Sequence, residues 1–361
     1  LDEVSSEDVY RVDPQQSSLL RTIPLRDETD VSLGRELHIT TIYIENLGLD
    51  TAEVAFYIRT GTEYVEAETI LITGFGILAL FLTYLVQRMA LPRLFAVALS
   101  TYKSEIAQPL FTLIIAMGVI ALIGFVWIPY NTFGEDIKML KDAGLTLILI
   151  LSIILALWSA STSVAEEIEG RTALTVLSKP LTRRSFVIGK FVGIVWMLAL
   201  VYIIFGVVLI AAVSYKPIYD ATESSFGVPD WQLCFLESIR IVPGLVLAFF
   251  EAIVIASLSI AISTRLPLMA NMTICLVVYA LGHLTPLVVQ SSLSGFAIVE
   301  FFGKLIATVF PNLDHFNIQA AISARVDVPF EYLGWAFCYC AIYSLIAMLL
   351  ALVMFEDRDL T

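Results

Sequence analysis

The sequence predicts an all-α polytopic membrane protein, and three observations carry that expectation. The chain is 58% hydrophobic and 15% charged, with a mean hydropathy of +0.85. A soluble domain is about half apolar and about a quarter charged. Seven apolar stretches are each long enough to approach the roughly 20 helical residues that span a bilayer. The charge is also segregated. Residues 1–69 hold 15 acidic against 5 basic side chains, while the rest of the chain holds 19 against 16. The net charge of −13 therefore belongs mainly to an N-terminal segment. No basic stripe exists to meet phosphates, which argues against nucleic acid as a partner.

Residues 1–34 are polar, with Pro14, Pro24 and Gly34, and read as loop or disorder. Within 35–69, His38–Ile44 and Val54–Ile58 are rich in Ile, Thr, Tyr and Val, and Asn46, Gly48, Asp50 and Gly61 punctuate them. That is a strand signal for a small β-rich domain; a disordered acidic tail is the alternative. The first residue, Leu1, is not a methionine, so a fragment of a longer protein and a misassigned start are both open, and no signal-peptide pattern opens the chain.

The expected membrane helices are 70–87, 110–129, 144–165, 187–213, 241–263, 268–290 and 333–355. Residues 92–108 mix Arg93, Lys103 and Glu105 with Leu94, Phe95, Val97 and Leu99, the pattern of an amphipathic helix lying along the membrane surface. The stretches 130–143 and 214–240 read as polar loops with nearly cancelling charge. Thr264-Arg265-Leu266-Pro267 is a tight turn that makes the fifth and sixth helices an antiparallel hairpin. Phe296–Phe310 is apolar but holds Glu300 and Lys304, which suggests an amphipathic or re-entrant helix ended by Pro311. Arg88, Arg93, Lys103, Arg171, Lys179, Arg183, Arg184, Lys190, Arg265 and Arg358 fall on one side of the membrane. The excess of Lys and Arg marks the cytoplasmic face, so the expectation is a multi-pass protein of the cell (cytoplasmic or inner) membrane with the N-terminal segment outside and the C-terminus inside.

Cys234, Cys275, Cys338 and Cys340 form no Cys-x-x-Cys pair, and His38, His283 and His315 are far apart. Neither a disulfide framework nor structural zinc is indicated. Gly189-Lys190 and Gly303-Lys304 lack the earlier glycine and the following hydroxyl residue of a phosphate-binding loop, and no His-Glu-x-x-His or Gly-x-Ser-x-Gly occurs. Enzyme chemistry therefore lacks positive support. Gly189 and Gly193 form Gly-x-x-x-Gly, whose ordinary meaning in a membrane helix is close packing.

Two places carry candidate function. Glu251 lies in the middle of an apolar run, where a carboxylate costs about 2.5–3.5 kcal/mol on insertion scales and marks a wet or paired site. It either lines a translocation route, or pairs with Asn271 or His283, or packs the bundle as a neutral acid. The second place is the connector between the third and fourth helices. Glu166, Glu167, Glu169 and Arg171 continue one helix; Gly170 permits a bend. Thr172 can cap a short second helix, Leu174, Val176 and Leu177 give it an apolar side, and Pro180 ends it. The bland alternative is a solvated connector.

Ala165-Glu-Glu-Ile-Glu-Gly-Arg-Thr172, Leu177-Ser-Lys-Pro180, Arg183 and Phe186-Val-Ile-Gly-Lys190 together resemble the loop between the second and third core helices of type-2 ABC export permeases. Asp142-Ala-Gly-Leu145 and the ending Phe355-Glu-Asp-Arg-Asp-Leu360 fit as well. The resemblance covers residues 92–361. It implies a six-helix exporter core over 92–361, preceded by an extra transmembrane helix and linker at 70–91 and the acidic segment 1–69. It implies pairing with a second permease subunit, as a homo- or heterodimer. It further implies docking on a separate ATPase subunit through a coupling loop at 166–186, in which Glu167, Gly170, Arg171, Thr172, Leu174, Leu177, Ser178, Lys179, Pro180 and Arg183 form the docking surface. ATP and Mg would be bound by that partner, with no cofactor in this chain. Glu251, Asn271 and His283 are the candidate residues of the translocation path. The competing expectation is a membrane-anchored assembly or scaffold protein whose segment 1–69 binds a partner; a channel lacks a repeated pore motif.

Overall fold

The computed structural model describes residues 65–128, 136–166, 182–224, 231–290, 310–318 and 328–356. These residues are helical, apart from short turns and extended links. The helices are α1 (Val65–Ala90), α2 (Pro92–Ile106), α3 (Pro109–Gly124), α4 (Asp136–Ala160), α5 (Arg183–Ser224), α6 (Trp231–Ile239), α7 (Val242–Ser263), α8 (Leu268–Gln290) and α9 (Phe330–Glu356). A π-helical turn, Ser161–Glu166, continues α4, and one-turn 3-10 helices occupy Phe125–Trp127 and Asp314–Phe316. Each of the seven apolar stretches falls on a helix. Among the described residues, six helices are long and apolar enough to cross a membrane, and α8 contributes a shorter apolar segment, Leu268–Leu284. The strand-like segment 35–64, the residues 167–181 of the loop, residues 296–309 and the tail beyond Glu356 lie outside the described residues.

Prolines set several of the boundaries. Pro92, Pro109 and Pro243 sit in the first turns of α2, α3 and α7, where a missing N–H costs nothing and the fixed φ is already helical. The residue before a proline is pushed out of the helical region. Gln108 accordingly adopts ψ 139° and separates α2 from α3. At the start of α5, Thr182 caps the helix, its Oγ1 accepting from the Ser185 N–H at 3.2 Å.

The core lies between α4, α5, α7 and α9. α7 packs against α4, α5, α8 and α9, and α5 touches α2, α3, α4, α6 and α7. α7 is buried nearly all round, from Gly244 through Ala248, Glu251, Ala252, Ile255 and Ser259 to Ser263, as expected of a helix apolar on every side. Glycines allow the closest approaches: Gly118 faces Phe205, and Gly144 faces Leu209. α1 differs. None of the residues in its apolar window Thr73–Ala90 is buried, and Phe75, Leu80, Val86 and Met89 all point away from the bundle, as lipid-facing side chains do.

α2 lies along α5, with Ala98, Thr101 and Glu105 buried. The contact runs over the Gly-x-x-x-Gly pair. A Cβ on Gly193 would stand 2.6 Å from the Ala98 carbonyl oxygen and 2.7 Å from Thr101 Cβ, and one on Gly189 would stand 2.7 Å from Val97 Cβ. Backbone cannot yield as a flexible side chain does, so Gly193→Leu should cost about 1–3 kcal/mol through overpacking. The melting temperature of the purified protein should drop for Gly193→Leu and hold for Gly124→Ala, whose added Cβ meets nothing within 4 Å. Equal melting of the two variants would remove this contact from the account.

The polar stretches expected as loops prove largely helical. α4 starts at Asp136, α5 runs on through Pro217 to Ser224, and α6 occupies much of the remainder. The physical reason is that their charged residues are not solvated loop residues. Lys141 and Lys216 are both buried, at 1% exposure each, and pair with acids from other turns or helices.

Candidate functional site

Glu251 sits on α7 at 1% exposure. Its Oε1 lies 2.8 Å from Nε2 of His283 on α8, so the costly carboxylate of a membrane interior has a partner. The His283 ring meets Tyr279 edge-on, with centroids 4.8 Å apart. Tyr202 on α5 lies close enough to Glu251 for the two to interact electrostatically. Ser152 on α4 lies beside Tyr202, although neither hydroxyl has a well-formed hydrogen bond among the described residues. Four helices thus contribute polar groups to one level of an otherwise apolar bundle.

Beside this layer is a cavity of about 200 Å³. α4 lines it with Leu145, Thr146 and Leu149, α7 with Gly244, Ala248 and Glu251, and α8 with Tyr279 and His283. Phe316, Asn317 and Ile318 close its remaining side. That closing segment is fastened in place. Gly282 lets it approach α8, since a Cβ there would meet Leu313 Cγ at 2.8 Å and the Pro311 carbonyl at 2.9 Å. The Asn312 N–H donates to Tyr339 Oη at 2.9 Å, and Tyr332 Oη donates to the His315 carbonyl at 2.6 Å. Both tyrosines belong to α9. A small polar ligand could be held here by one carboxylate, one imidazole and one phenol against apolar walls. Among the described residues, no three His, Cys, Asp or Glu side chains converge as a metal ion would need.

Asn271 is elsewhere. It is fully buried near the start of α8, and its Nδ2 donates to Ser161 Oγ at 2.7 Å and to Ser259 Oγ at 2.8 Å. Cys275 Sγ donates to its Oδ1 at 3.3 Å. The amide therefore ties α8 to α7 and to the first residue of the π-helical turn, where the chain leaves α4 for the loop. Along α8, twelve residues separate Asn271 from His283, about 18 Å at 1.5 Å per residue. The structure brings Glu251 and His283 together and does not bring Asn271 to them.

Of the loop residues, Glu167, Gly170, Arg171, Thr172, Leu174, Leu177, Ser178, Lys179 and Pro180 lie outside the described residues. Arg183 opens α5, with its guanidinium 6.0 Å from the centroid of the Phe355 ring. Phe355, near the end of α9, stacks on Phe186 at 6.0 Å, and Lys190 lies 5.5 Å from the Phe186 ring. The start of α5 is thus seated against the end of α9 by aromatic and cation–π contacts.

One charged cluster went unread in the sequence. At the end of the bundle remote from Arg183, Lys141 of α4 forms a buried ion pair with Glu237 of α6. Lys216 of α5 meets Asp220 at 2.9 Å and Asp136 of α4 at 3.8 Å, and donates to the Val126 carbonyl at 3.3 Å. Only the Lys216–Asp220 spacing, i,i+4 on one helix, was a local signal. The other partners are distant in sequence.

The family model described as "ABC-2 family transporter protein" matches residues 130–360. That span runs from just before α4 to residue 360 and contains the loop, the Asn271 cluster, the Glu251–His283 pair and the cavity. No curated protein matches the chain.

Proposed function

Since the chain belongs to the ABC-2 family of transporter proteins, in which it is a membrane permease subunit, we propose that it exports a substrate from the cytoplasm using ATP hydrolysed by a separate subunit. Members of the family generally pair with an ATPase. In this reading the ATPase docks on the loop 166–186, where Glu167, Arg171 and Lys179 orient the docked surface and Leu174 and Leu177 fill its groove. The permease works with a second permease subunit, its N-terminal segment outside and its C-terminus in the cytoplasm. Residues 92–361 form the exporter core, helix α2 rides the cytoplasmic surface, and α1 is an addition to the core.

One observation supports the coupling step above the others. The same helix, α4, lines the cavity with Leu145 and Leu149 and ends in the π-helical turn from which the loop departs. Asn271 bonds that turn to α7 and α8, the two helices that hold Glu251 and His283. Movement of the loop therefore has a hydrogen-bonded route to the walls of the cavity, and ATP-driven motion at one end can change access at the other. Glu251 and His283 then line the translocation path, and Asn271 acts at its cytoplasmic end as a link.

Labelling tests this arrangement. Ser178→Cys, on a background with the four native cysteines replaced, should react with a membrane-impermeant maleimide only after cells are opened. Co-expression of the ATPase subunit should suppress that reaction severalfold. Labelling in intact cells would put the loop on the wrong face and remove the proposal.

A further inference from the structure

We propose that the cavity beside Glu251 binds a small organic monocation, an ammonium head on a compact apolar body. The inference rests on the reading of Glu251 and His283 as path-lining residues and names what they meet there.

The charge of the site points to a cation. The cavity lining holds one carboxylate and one imidazole, with no lysine or arginine among the described residues. A second carboxylate, Asp314, is exposed two residues before Phe316 and acts electrostatically on both Glu251 and His283. An anion entering here would face both carboxylates, with only the imidazole, already bonded to Glu251, to receive it; an ammonium that displaces the imidazole meets the carboxylate directly. Glu251 is 2% exposed at its side chain, whereas His283 is 25% exposed. The imidazole thus has room to move aside and the carboxylate does not. An incoming N–H donor can replace the imidazole on Oε1 and leave the carboxylate partnered throughout, which spares the cost of an orphaned buried charge.

The walls fit the rest of such a ligand. Tyr279 and Phe316 offer aromatic rings, whose faces attract cations, and Leu145, Leu149 and Ala248 offer apolar contact. The volume, about 200 Å³, exceeds the about 150 Å³ of an engineered apolar cavity that accepts benzene. One ring with a short amine fits within it; a phospholipid does not.

The probe is benzylammonium, with benzyl alcohol and benzoate as neutral and anionic matches of the same size. The full chain, in complex with its ATPase subunit in lipid nanodiscs, is titrated calorimetrically. Benzylammonium should bind, benzyl alcohol at least about tenfold more weakly, and benzoate not measurably. Glu251→Gln should weaken benzylammonium at least about tenfold. Ala248→Leu keeps the carboxylate but fills the cavity, and should abolish binding; it decides the matter alone if the Gln variant fails to assemble. Equal binding of the alcohol and the ammonium, or wild-type binding by both variants, overturns the proposal. ATP hydrolysis by the same complexes separates the two layers of the argument. Hydrolysis altered by Glu251→Gln without any benzylammonium binding keeps the path and overturns the cation. No binding, with hydrolysis untouched by either variant, removes both.

Discussion

Leu177→Asp abolishes co-purification of the ATPase subunit while the permease still inserts and elutes as a single species. The expectation comes from the loop sequence, in which Leu174 and Leu177 would supply the apolar side of the short helix expected between Thr172 and Pro180. Central apolar anchors of an interface typically cost 2 kcal/mol or more when lost, which is about 30-fold in affinity. Aspartate does more than remove the anchor, because it carries a charge into a groove that excludes water and offers it no partner. Pull-down through a tagged permease, with size-exclusion chromatography to verify its integrity, measures the effect. Normal recovery of the ATPase with this variant would remove the docking assignment, whatever face of the membrane the loop occupies.

Lys141→Met destabilises the permease by about 3–5 kcal/mol, the usual cost of breaking a buried ion pair. Lys141 and Glu237 are 2% and 5% exposed at their side chains, so the Glu237 carboxylate loses the Lys141 charge at a site that water barely reaches. At roughly 2–4 °C per kcal/mol, the melting midpoint in detergent should fall by about 6–20 °C. The double variant Lys141→Met with Glu237→Leu should recover most of that loss, because an apolar pair of similar volume avoids the desolvation penalty altogether. A double variant as unstable as the single one would show that Lys141 matters for something other than its charge.

The long helices of the bundle were legible because each carries a run of apolar residues close to the length that spans a bilayer. The extension of α5 to Ser224 was not, and the reason is instructive. Lys216, Pro217, Asp220 and Glu223 read locally as a polar, proline-broken loop. What holds Lys216 in a helix is Asp136 and the Val126 carbonyl, groups about 80 to 90 residues away that no local pattern brings near. Glu251 stood out as a carboxylate in an apolar run. The choice of its partner between Asn271 and His283 was open from residue type but available from the hairpin. Glu251 lies 13 residues before Thr264, and His283 lies 16 after Pro267, whereas Asn271 lies only 4 after it. Antiparallel helices pair residues at similar distances from their turn, so His283 matches Glu251, and Asn271 matches Ser259. The cavity itself could not be read, since its fourth wall, Phe316–Ile318, comes from an irregular segment placed by Gly282 and by two tyrosines of α9.

The 42-residue helix α5 has a mechanical consequence. From Arg183 to Lys216 it spans about 50 Å at 1.5 Å per residue, well beyond the roughly 30 Å of hydrocarbon in a bilayer. A rod of that length is a lever arm. Pivoting it by about 5° where it leaves the loop sweeps its far tip sideways by about 4 Å. That is further than the reach of the contacts that Lys216 makes outside its own helix, with Asp136 and the Val126 carbonyl. If an ATPase docks at the loop as proposed, a slight rocking there would be geared up into the making and breaking of the Lys216–Asp136 clasp at the opposite rim.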